Sequence, residues 1–357
     1  MATLSLCMIV KNEEDTLERC LSSVKDALDE IVIVDTGSTD ATKKTASRFT
    51  NKIFDFKWCD DFAAARNYAF SKASQTYVMW LDADDVITPE NLEILKTLKE
   101  TVLDGKTPQV IANYDVAFDE NGNPSMTYVR ERIFLRSLKP VWLGAVHEVI
   151  ALLSDAYYSG FTVSHKKMRA APVDRNLKIY EKMIENGDKL DARQKYYYAR
   201  ELYYNSDYVK AAEKLIEFLG DPDGWVENKI SACLDLSRCY VKIGQKLLAV
   251  DALLKSFEYD VPRAEHCCEL ASLYMEENKL DQAVFWYKSA MYKKYDASTG
   301  AFISPDCYGY IPAIQLCVCY DRKGERKAAR GYNELAAFYK PDSISVKNNR
   351  KYFDSLD

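Results

Sequence analysis

The sequence predicts an α/β domain built on a parallel sheet, followed by an all-α domain of helical repeats. Over residues 1–135, short apolar runs alternate with amphipathic stretches, as strands alternate with the helices that cover a parallel sheet. Beyond residue 172 the strand-like runs stop and helix-like segments recur at a regular spacing. A chain of 357 residues is long enough for two domains of ordinary size. We therefore expect one domain over residues 1–172 and a second over residues 173–357.

The elements of the first domain follow from the apolar pattern in chain order. Strands are predicted at 4–10, 30–34, 52–56 and 76–81, and helices at 13–25, 39–49 and 62–73. Sheets of this kind bind ligands at the carboxyl ends of their strands. Polar residues follow three of the strands, at 11–13, 35–38 and 82–85. We expect these three segments to lie on one rim of the sheet.

In the second domain a tyrosine is followed nine residues later by an alanine in three separate segments. The pairs are Tyr240 with Ala249, Tyr274 with Ala283, and Tyr320 with Ala329. The spacing of the first two tyrosines equals the length of a tetratricopeptide repeat (TPR), about 34 residues, and an insertion around 299–308 separates the last two. A looser first copy covers 197–219. Stacked repeats form a concave surface suited to binding peptides or proteins. The alternative is that the repeats serve only to support the first domain or to form a dimer.

Composition and charge exclude some classes of function. The formal net charge is -6, which argues against binding to nucleic acid or to an anionic membrane as the main function. No apolar run approaches the length of a membrane span, about 18 residues, and the first residues do not resemble a secretory leader. The ten cysteines are scattered, without pairs at zinc-ribbon spacing. We expect a cytoplasmic protein without an integral membrane segment and without nucleic acid as a partner.

Two carboxylates follow the fourth predicted strand directly. Asp82 and Asp84 are two residues apart at a strand end, so that both can turn toward one hard cation. Mg²⁺ and Mn²⁺ accept such oxygen ligands and leave positions open for a diphosphate. The alternative is helix capping, since Asp85 can cap the helix that starts near Pro89. The position at the end of an apolar strand favours the metal site.

The residues after the second strand and within the third helix suggest a nucleotide site. Asp35 can accept a hydrogen bond from the imide N–H of a nucleobase, and Gly37 allows close approach of the backbone. A plain turn with a helix cap at Ser38 or Thr39 explains the same pattern. Arg66 can reach a base or a pyrophosphate with its fork of donors, or it can form an ion pair within the domain.

The order of these motifs resembles a known family. The segments 8–14, 34–40, 61–67 and 81–85 together are similar to the GT-A fold of family 2 glycosyltransferases, with its Rossmann-like sheet. Two further segments, 132–134 and 142–148, narrow the resemblance to bacterial members fused to TPRs. The sublancin-type peptide S-glycosyltransferases are among these members.

The resemblance implies a role for each matching residue. Asp35 would hold uracil, Arg66 would assist at the base or diphosphate, and Asp84 would be the principal metal ligand. The expected nucleotide-sugar-binding residues are Val10, Asn12, Glu13, Asp35, Arg66, Asp82, Ala83, Arg132 and His147. The expected ligands of Mn²⁺ or Mg²⁺ are Asp82, Asp84 and His165, and the imidazole favours manganese.

Family 2 enzymes generally invert the anomeric centre, so the resemblance also implies a base near the acceptor nucleophile. Glu148 is the first candidate and Asp85 the second. The chain departs from its relatives at Val149, where a second acid is common, and at Lys166, where glycine is usual. A lysine there can neutralise a diphosphate leaving group or simply be solvated.

The sequence therefore predicts a metal-dependent, inverting glycosyltransferase that moves a hexose or N-acetylhexosamine from a UDP-sugar to a peptide or protein side chain. The same chemistry on a saccharide or lipid-linked glycan is the alternative acceptor. A non-catalytic repeat scaffold is the alternative from another class, and a homodimer is left open. A glycoside hydrolase fits poorly, since it needs two opposed carboxylates and no nucleotide site.

Overall fold

The first strand supplies side chains to both faces of a central sheet. β1 (Leu4–Val10) places Leu6 and Met8 in one apolar core and Cys7 in another, as the two-residue period of a strand requires. The computed structural model describes residues 2–119, 122–151, 153, 155–168, 172–294 and 299–356. The sheet is therefore covered on both faces, as predicted.

The sheet has eight strands, in the order β3-β2-β1-β4-β7-β6-β10-β5. The strands after β1 are β2 (Glu30–Asp35), β3 (Ile53–Asp55), β4 (Tyr77–Trp80), β5 (Asp85–Val86), β6 (Gln109–Phe118), β7 (Pro124–Leu135), β8 (Trp142–Leu143), β9 (Val149–Ile150) and β10 (Tyr157–His165). β8 and β9 pair separately. The predicted parallel sheet is confirmed for β1 to β4, whereas β7 runs antiparallel to β4 and β5 antiparallel to β10. The sheet as a whole is mixed.

Five helices accompany this sheet in the described part of the chain. They are α1 (Leu17–Val24), α2 (Thr42–Ala46), α3 (Phe62–Ser71), α4 (Pro89–Thr101) and α5 (Arg175–Glu185). α1 and α2 begin later than predicted because the residues before them form hydrogen-bonded loops. The alternative of helix capping is not found: α2 begins after Ala41 rather than at Ser38 or Thr39, and Thr88 rather than Asp85 caps α4.

The chain divides into two compact units. The first contains Met1–Ala117 and Tyr128–Lys189, and the second contains Phe118–Thr127 and Leu190–Asp357. The first unit extends past the expected boundary because α5 packs within it; the guanidinium of Arg175 lies 4.8 Å from the ring centroid of Phe62. Ala171, at the expected boundary, lies outside the described residues.

The second unit is built from helices that pair along the chain. They are α6 (Ala192–Tyr204), α7 (Tyr208–Leu219), α8 (Val226–Lys242), α9 (Lys246–Lys255), α10 (Ala264–Glu276), α11 (Leu280–Met291), α12 (Tyr310–Arg322), α13 (Arg326–Tyr339) and α14 (Ile344–Asp354). The turns that join the two helices of each pair contain one residue with positive φ, namely Ser206, Gly244, Asn278 and Gly324.

The predicted repeat follows from these turns. Five residues after each left-handed residue comes an alanine that is fully buried; these are Ala211, Ala249, Ala283 and Ala329. A small residue at this position lets two helices approach closely. The spacing read from the sequence therefore corresponds to a repeated helix pair. Among the described residues, no helix is both long and apolar enough to span a membrane.

Candidate functional site

Side-chain hydrogen bonds hold together the loops that follow β1 and β2. Asn12 has a left-handed backbone (φ 57°), and its side-chain oxygen accepts a hydrogen bond from the backbone N–H of Thr39 at 2.8 Å. The backbone N–H of Glu13 donates to the hydroxyl of Thr42 at 2.7 Å. Val10 precedes them as the last residue of β1. The predicted nucleotide-binding residues Val10, Asn12 and Glu13 therefore form one part of the rim.

Asp35 ends β2 and keeps one carboxylate oxygen unused. Its Oδ1 accepts hydrogen bonds from the backbone N–H groups of Gly37 and Ser38, both at 2.9 Å. Its Oδ2 is buried and has no hydrogen-bond partner among the described residues. A buried acceptor without a partner costs free energy, which a donor from a ligand would recover. This geometry fits the expected contact with an imide N–H.

An acidic cluster, formed by Asp84, Asp85 and His165, lies where β4 leads into β5. Each of the three side chains offers one ligand atom, and these atoms lie within 4.8 Å of one another. The antiparallel pairing of β5 with β10 places His165 opposite Asp85. Two carboxylates and an imidazole suit a divalent cation, and the imidazole favours Mn²⁺ over Mg²⁺. The residues present therefore fit the expected metal.

Asp85 is fully buried, and both of its oxygens have partners. Oδ2 accepts a hydrogen bond from the backbone N–H of Asp82 at 3.0 Å. Oδ1 accepts one from the hydroxyl of Tyr114 at 2.9 Å and lies 3.0 Å from Nδ1 of His165. A catalytic base must reach the proton that it removes, directly or through one water. The geometry therefore does not favour Asp85 as a base; it makes Asp85 a group that orients the cluster.

The acidic cluster shifts the pKa values of its own members. Burial raises the pKa of Asp84 to about 6; the nearby His165 lowers it, and the charges of Asp82 and Asp85 raise it further. Burial lowers the pKa of His165, but the hydrogen bond with Asp85 and the charge of Asp84 outweigh burial, so that the pKa is raised. The Oδ1 of Asp84 lies 3.2 Å from Nδ1 of His165. Protons and a bound cation would therefore compete for these two side chains.

Arg66 lies between two carboxylates and two indole rings. Its Nη2 donates to Oδ1 of Asp82 at 2.7 Å, and its Nε donates to Oε1 of Glu148 at 2.6 Å. The guanidinium carbon is 5.0 Å from the ring centroid of Trp80 and 4.9 Å from that of Trp142. Burial opposes the charge, but the two carboxylates outweigh it and raise the pKa of Arg66. The sequence left two roles open for Arg66, a contact with a base or pyrophosphate and an ion pair within the domain. The structure shows Arg66 in ion pairs with Asp82 and Glu148.

Asp82 is oriented toward Arg66 and lies outside the acidic cluster. Burial raises the pKa of Asp82, but the charge and hydrogen bond of Arg66 outweigh burial and lower it to about 2. The hydrogen bond from its backbone N–H to Asp85 closes a tight turn around the buried Ala83. Asp82 is not among the three residues whose ligand atoms lie within 4.8 Å of one another, so its role as a metal ligand stays a prediction.

The segment that carries Glu148 is fixed to α3 and α5. The side chain of Asn67 accepts from the backbone N–H of Trp142 at 2.8 Å and donates to its carbonyl at 3.0 Å. His147 has a left-handed backbone (φ 52°), and its ring stacks on Tyr180 of α5 with centroids 6.5 Å apart. These contacts hold the backbone of Glu148 in place. His147 faces α5, so its predicted contact with the nucleotide stays a prediction.

Arg132 lies in the interior of the first unit, beside Asp85. The side chain is fully buried, and its guanidinium carbon lies 3.7 Å from the ring centroid of Trp80 and 4.6 Å from that of Tyr114. Its Nη1 donates to the carbonyl of Trp80 at 3.2 Å and lies 3.5 Å from Oδ2 of Asp85. The charge of Arg132 balances Asp85, and its predicted contact with the nucleotide stays a prediction.

Sequence reasoning missed Tyr114, Trp80 and Trp142 as parts of the site. Tyr114 lies in β6, and its hydroxyl is 2.9 Å from Nδ1 of His165. Aromatic residues inside strands are ordinary core residues, so the sequence around Tyr114 contained no distinguishing signal. Trp142 is the first residue of the 142–148 segment, and that position was the one signal available.

Residues 5–153 match the family model described as glycosyl transferase family 2. The match includes every predicted site residue except His165. The first unit therefore contains a glycosyl transferase family 2 domain.

Individual relatives agree with this assignment. The chain is 23% identical over 256 residues to the SPbeta prophage-derived glycosyltransferase SunS of Bacillus subtilis, over 65% of this chain and 58% of that protein. It is 47% identical over 90 residues to a TPR repeat-containing protein of Synechococcus elongatus, over 25% of this chain and 22% of that protein. The chain thus spans less than two thirds of the length of these curated relatives.

The similar solved structures include an enzyme bound to a metal and a nucleotide sugar. It is the glucosyl-3-phosphoglycerate synthase of Mycobacterium tuberculosis in complex with Mn²⁺ and uridine-diphosphate-glucose, with a TM-score of 0.36 and 16% identity, over 54% of this chain and 81% of that chain.

Proposed function

We propose that residues 1–172 act as a catalytic domain that transfers a hexose or N-acetylhexosamine from a UDP-sugar, with inversion, in the presence of Mn²⁺ or Mg²⁺. The observation that carries the proposal is the unpartnered, buried Oδ2 of Asp35 on the same sheet edge as the acidic cluster. β2, β1 and β4 are neighbouring parallel strands, so their carboxyl ends share that edge. A uracil base and a metal-bound diphosphate need this combination of groups.

In the proposed donor complex Asp35 accepts the imide N–H of uracil. Asp84 and His165 hold the cation, and Asp85 keeps the imidazole in position. The cation, when bound, neutralises charge on the diphosphate leaving group. Lys166 follows His165 in sequence, and its backbone N–H donates to the carbonyl of Asp84 at 2.9 Å. Its ammonium is a second candidate for neutralising the diphosphate.

Glu148 is the proposed base. It takes the proton from the acceptor hydroxyl or thiol, while the acceptor oxygen or sulfur forms a bond to the anomeric carbon. The bond between that carbon and the diphosphate oxygen breaks, its electron pair leaves with UDP, and the configuration at carbon is inverted. The side chain of Glu148 is 12% exposed, whereas Asp85 is fully buried, which favours Glu148.

The proposed acceptor is a peptide or protein side chain, bound with help from the helical repeats. The resemblance to sublancin-type peptide S-glycosyltransferases and the four helix pairs of the second unit support this choice. A saccharide or lipid-linked acceptor would leave the donor chemistry unchanged, so acceptor and donor are tested separately.

Calorimetry with UDP and UDP-sugars, with Mn²⁺ and then with chelator, tests the donor site. We expect binding that requires metal and is lost in Asp84→Ala. The matched control is Asp281→Ala, because Asp281 is an exposed carboxylate in the second unit. If wild-type protein bound no nucleotide in either condition, the transferase proposal would be wrong and the repeat scaffold would become the leading alternative.

Intact-protein mass spectrometry of candidate acceptors tests the acceptor class. A mass increase of one hexose or N-acetylhexosamine on a peptide or protein supports the proposal. Sugar transfer only to saccharides or lipid-linked glycans would contradict the acceptor and leave the donor site intact.

A further inference from the structure

Arg66 connects the donor side of the site to the acceptor side. One end of its guanidinium holds Asp82, which leaves β4 toward the acidic cluster, and the other end holds Glu148, the proposed base. Both contacts are short and charge-assisted, which makes them stronger than neutral hydrogen bonds. Within the described part of the chain, Arg66 is the arginine that forms ion pairs with both of these carboxylates. The two loops are therefore linked through one side chain.

The surroundings of Arg66 fix this link rigidly. The residue is 7% exposed, and its guanidinium carbon lies 5.0 Å from the ring centroid of Trp80 and 4.9 Å from that of Trp142. Trp142 is itself anchored by paired hydrogen bonds to Asn67, the neighbour of Arg66 in α3. A buried planar cation that contacts two aromatic rings and pairs with two carboxylates has few alternative orientations.

Leaving this position to contact a nucleotide would be costly. Arg66 would have to give up its ion pairs with both carboxylates, and one of them, Glu148, is nearly buried. The site already offers other partners for uracil and for diphosphate, in Asp35 and in the acidic cluster.

We infer that Arg66 is a positioning residue that holds Glu148 in the orientation needed for deprotonating the acceptor and ties that orientation to the donor loop through Asp82. The inference rests on the proposed function, because it gives Arg66 a task only if Glu148 is the base. It replaces the nucleotide contact that the resemblance implies for Arg66.

The test separates donor binding from turnover. UDP binding with Mn²⁺ is measured by calorimetry, and release of UDP from the UDP-sugar that the wild-type protein binds is measured with water or an identified acceptor. In Arg66→Gln we expect UDP affinity within about twofold of wild type. We expect kcat to fall about 100-fold or more, which is the usual range for loss of general-base catalysis, with KM for the donor little changed.

Three further variants make the result specific. Glu148→Gln should lose as much kcat as Arg66→Gln, and the double variant should lose no more than Glu148→Gln alone, because both changes remove one function. Arg66→Lys keeps the charge but cannot hold two carboxylates in one plane, so an intermediate kcat is expected. It also serves if Arg66→Gln does not fold.

The control is Arg263→Gln. Arg263 forms a similarly enclosed pair with Glu227 in the second unit, with contacts at 2.5 and 3.0 Å, and its loss should leave both kcat and KM unchanged. An Arg66→Gln protein that lost UDP affinity and kept kcat would overturn the inference, as would additive losses in the double variant. A wild-type protein that bound no UDP would instead refute the proposed function, and the inference with it.

Discussion

Metal affinity should depend on pH because one metal ligand has a raised pKa. The pKa of Asp84 is about 6, raised first by burial and then by the charges of Asp82 and Asp85. A cation binds the carboxylate, so protons compete for this ligand below that pH. A single carboxyl of pKa 6 weakens apparent affinity about fourfold at pH 5.5 and about tenfold at pH 5.0, relative to pH 7.5.

The histidine acts in the same direction. The pKa of His165 is also raised, since its acidic neighbours outweigh the effect of burial, and only the unprotonated imidazole binds metal. The loss of affinity on acidification should therefore exceed the value for Asp84 alone. Both effects weaken binding as the pH falls and neither weakens it as the pH rises from 7 to 8.

Mn²⁺ alone is the suitable probe, since the diphosphate of UDP titrates in the same range. The signal of free aqueous Mn²⁺ in electron paramagnetic resonance gives bound and free metal directly, from pH 7.5 to 5.0, with circular dichroism as the check on folding. Asp84→Asn should bind Mn²⁺ weakly and lose most of the pH dependence. An Mn²⁺ affinity that stayed constant from pH 7.5 to 5.0 in folded wild-type protein would refute this account of the site.

Four further results are expected. Asp84→Asn should stabilise the metal-free protein by about 1 to 3 kcal/mol at pH 7.5 in urea unfolding, because folding raises the pKa of this carboxyl and so makes its ionised form unfavourable. The gain should decline as the pH falls below about 6 and vanish only below the unfolded-state pKa, about 4, and a loss of stability at pH 7.5 would contradict it. Asp35→Ala should weaken UDP binding by about tenfold or more, because one hydrogen bond to a charged acceptor is lost. Mn²⁺ affinity in the absence of nucleotide should stay unchanged. A variant that bound UDP as tightly as wild type would exclude the uracil contact. Tyr114→Phe should weaken Mn²⁺ binding by about tenfold, as expected when a partner that orients a metal ligand is lost, and unchanged affinity would leave Asp85 as the sole orienting group. Ala283→Leu should cost about 1 to 3 kcal/mol of unfolding free energy by overpacking a helix pair, whereas the exposed Gln282→Leu should cost little.

The donor side of the site could be predicted largely from local sequence. Asp35 and Asp84 each follow an apolar strand-like run, and the carboxyl ends of neighbouring parallel strands must meet on one edge. The repeats could also be predicted from the sequence, because a helix pair that recurs at the TPR spacing repeats the same buried alanine and the same turn. These features depend on residues close together in the chain.

The partners of Arg66 and of His165 were decided only by tertiary structure. Arg66 meets a carboxylate 16 residues away and another 82 residues away. The pairing of β5 with β10 brings His165 to Asp85, 80 residues away. No local pattern specifies such contacts, since they depend on which strands become neighbours in the sheet.

What the sequence by itself determined is the class of fold, the edge of the sheet that carries the site and the repeated helix pair, because short-range periodicity and strand ends encode them. Only the tertiary structure decided how deeply each carboxylate is buried and which groups it contacts. Burial and the nearest cation set the role of an aspartate, and both are properties of the folded neighbourhood: Asp82 has Arg66, Asp84 has His165, and Asp85 is enclosed by groups from three other strands, β6, β7 and β10.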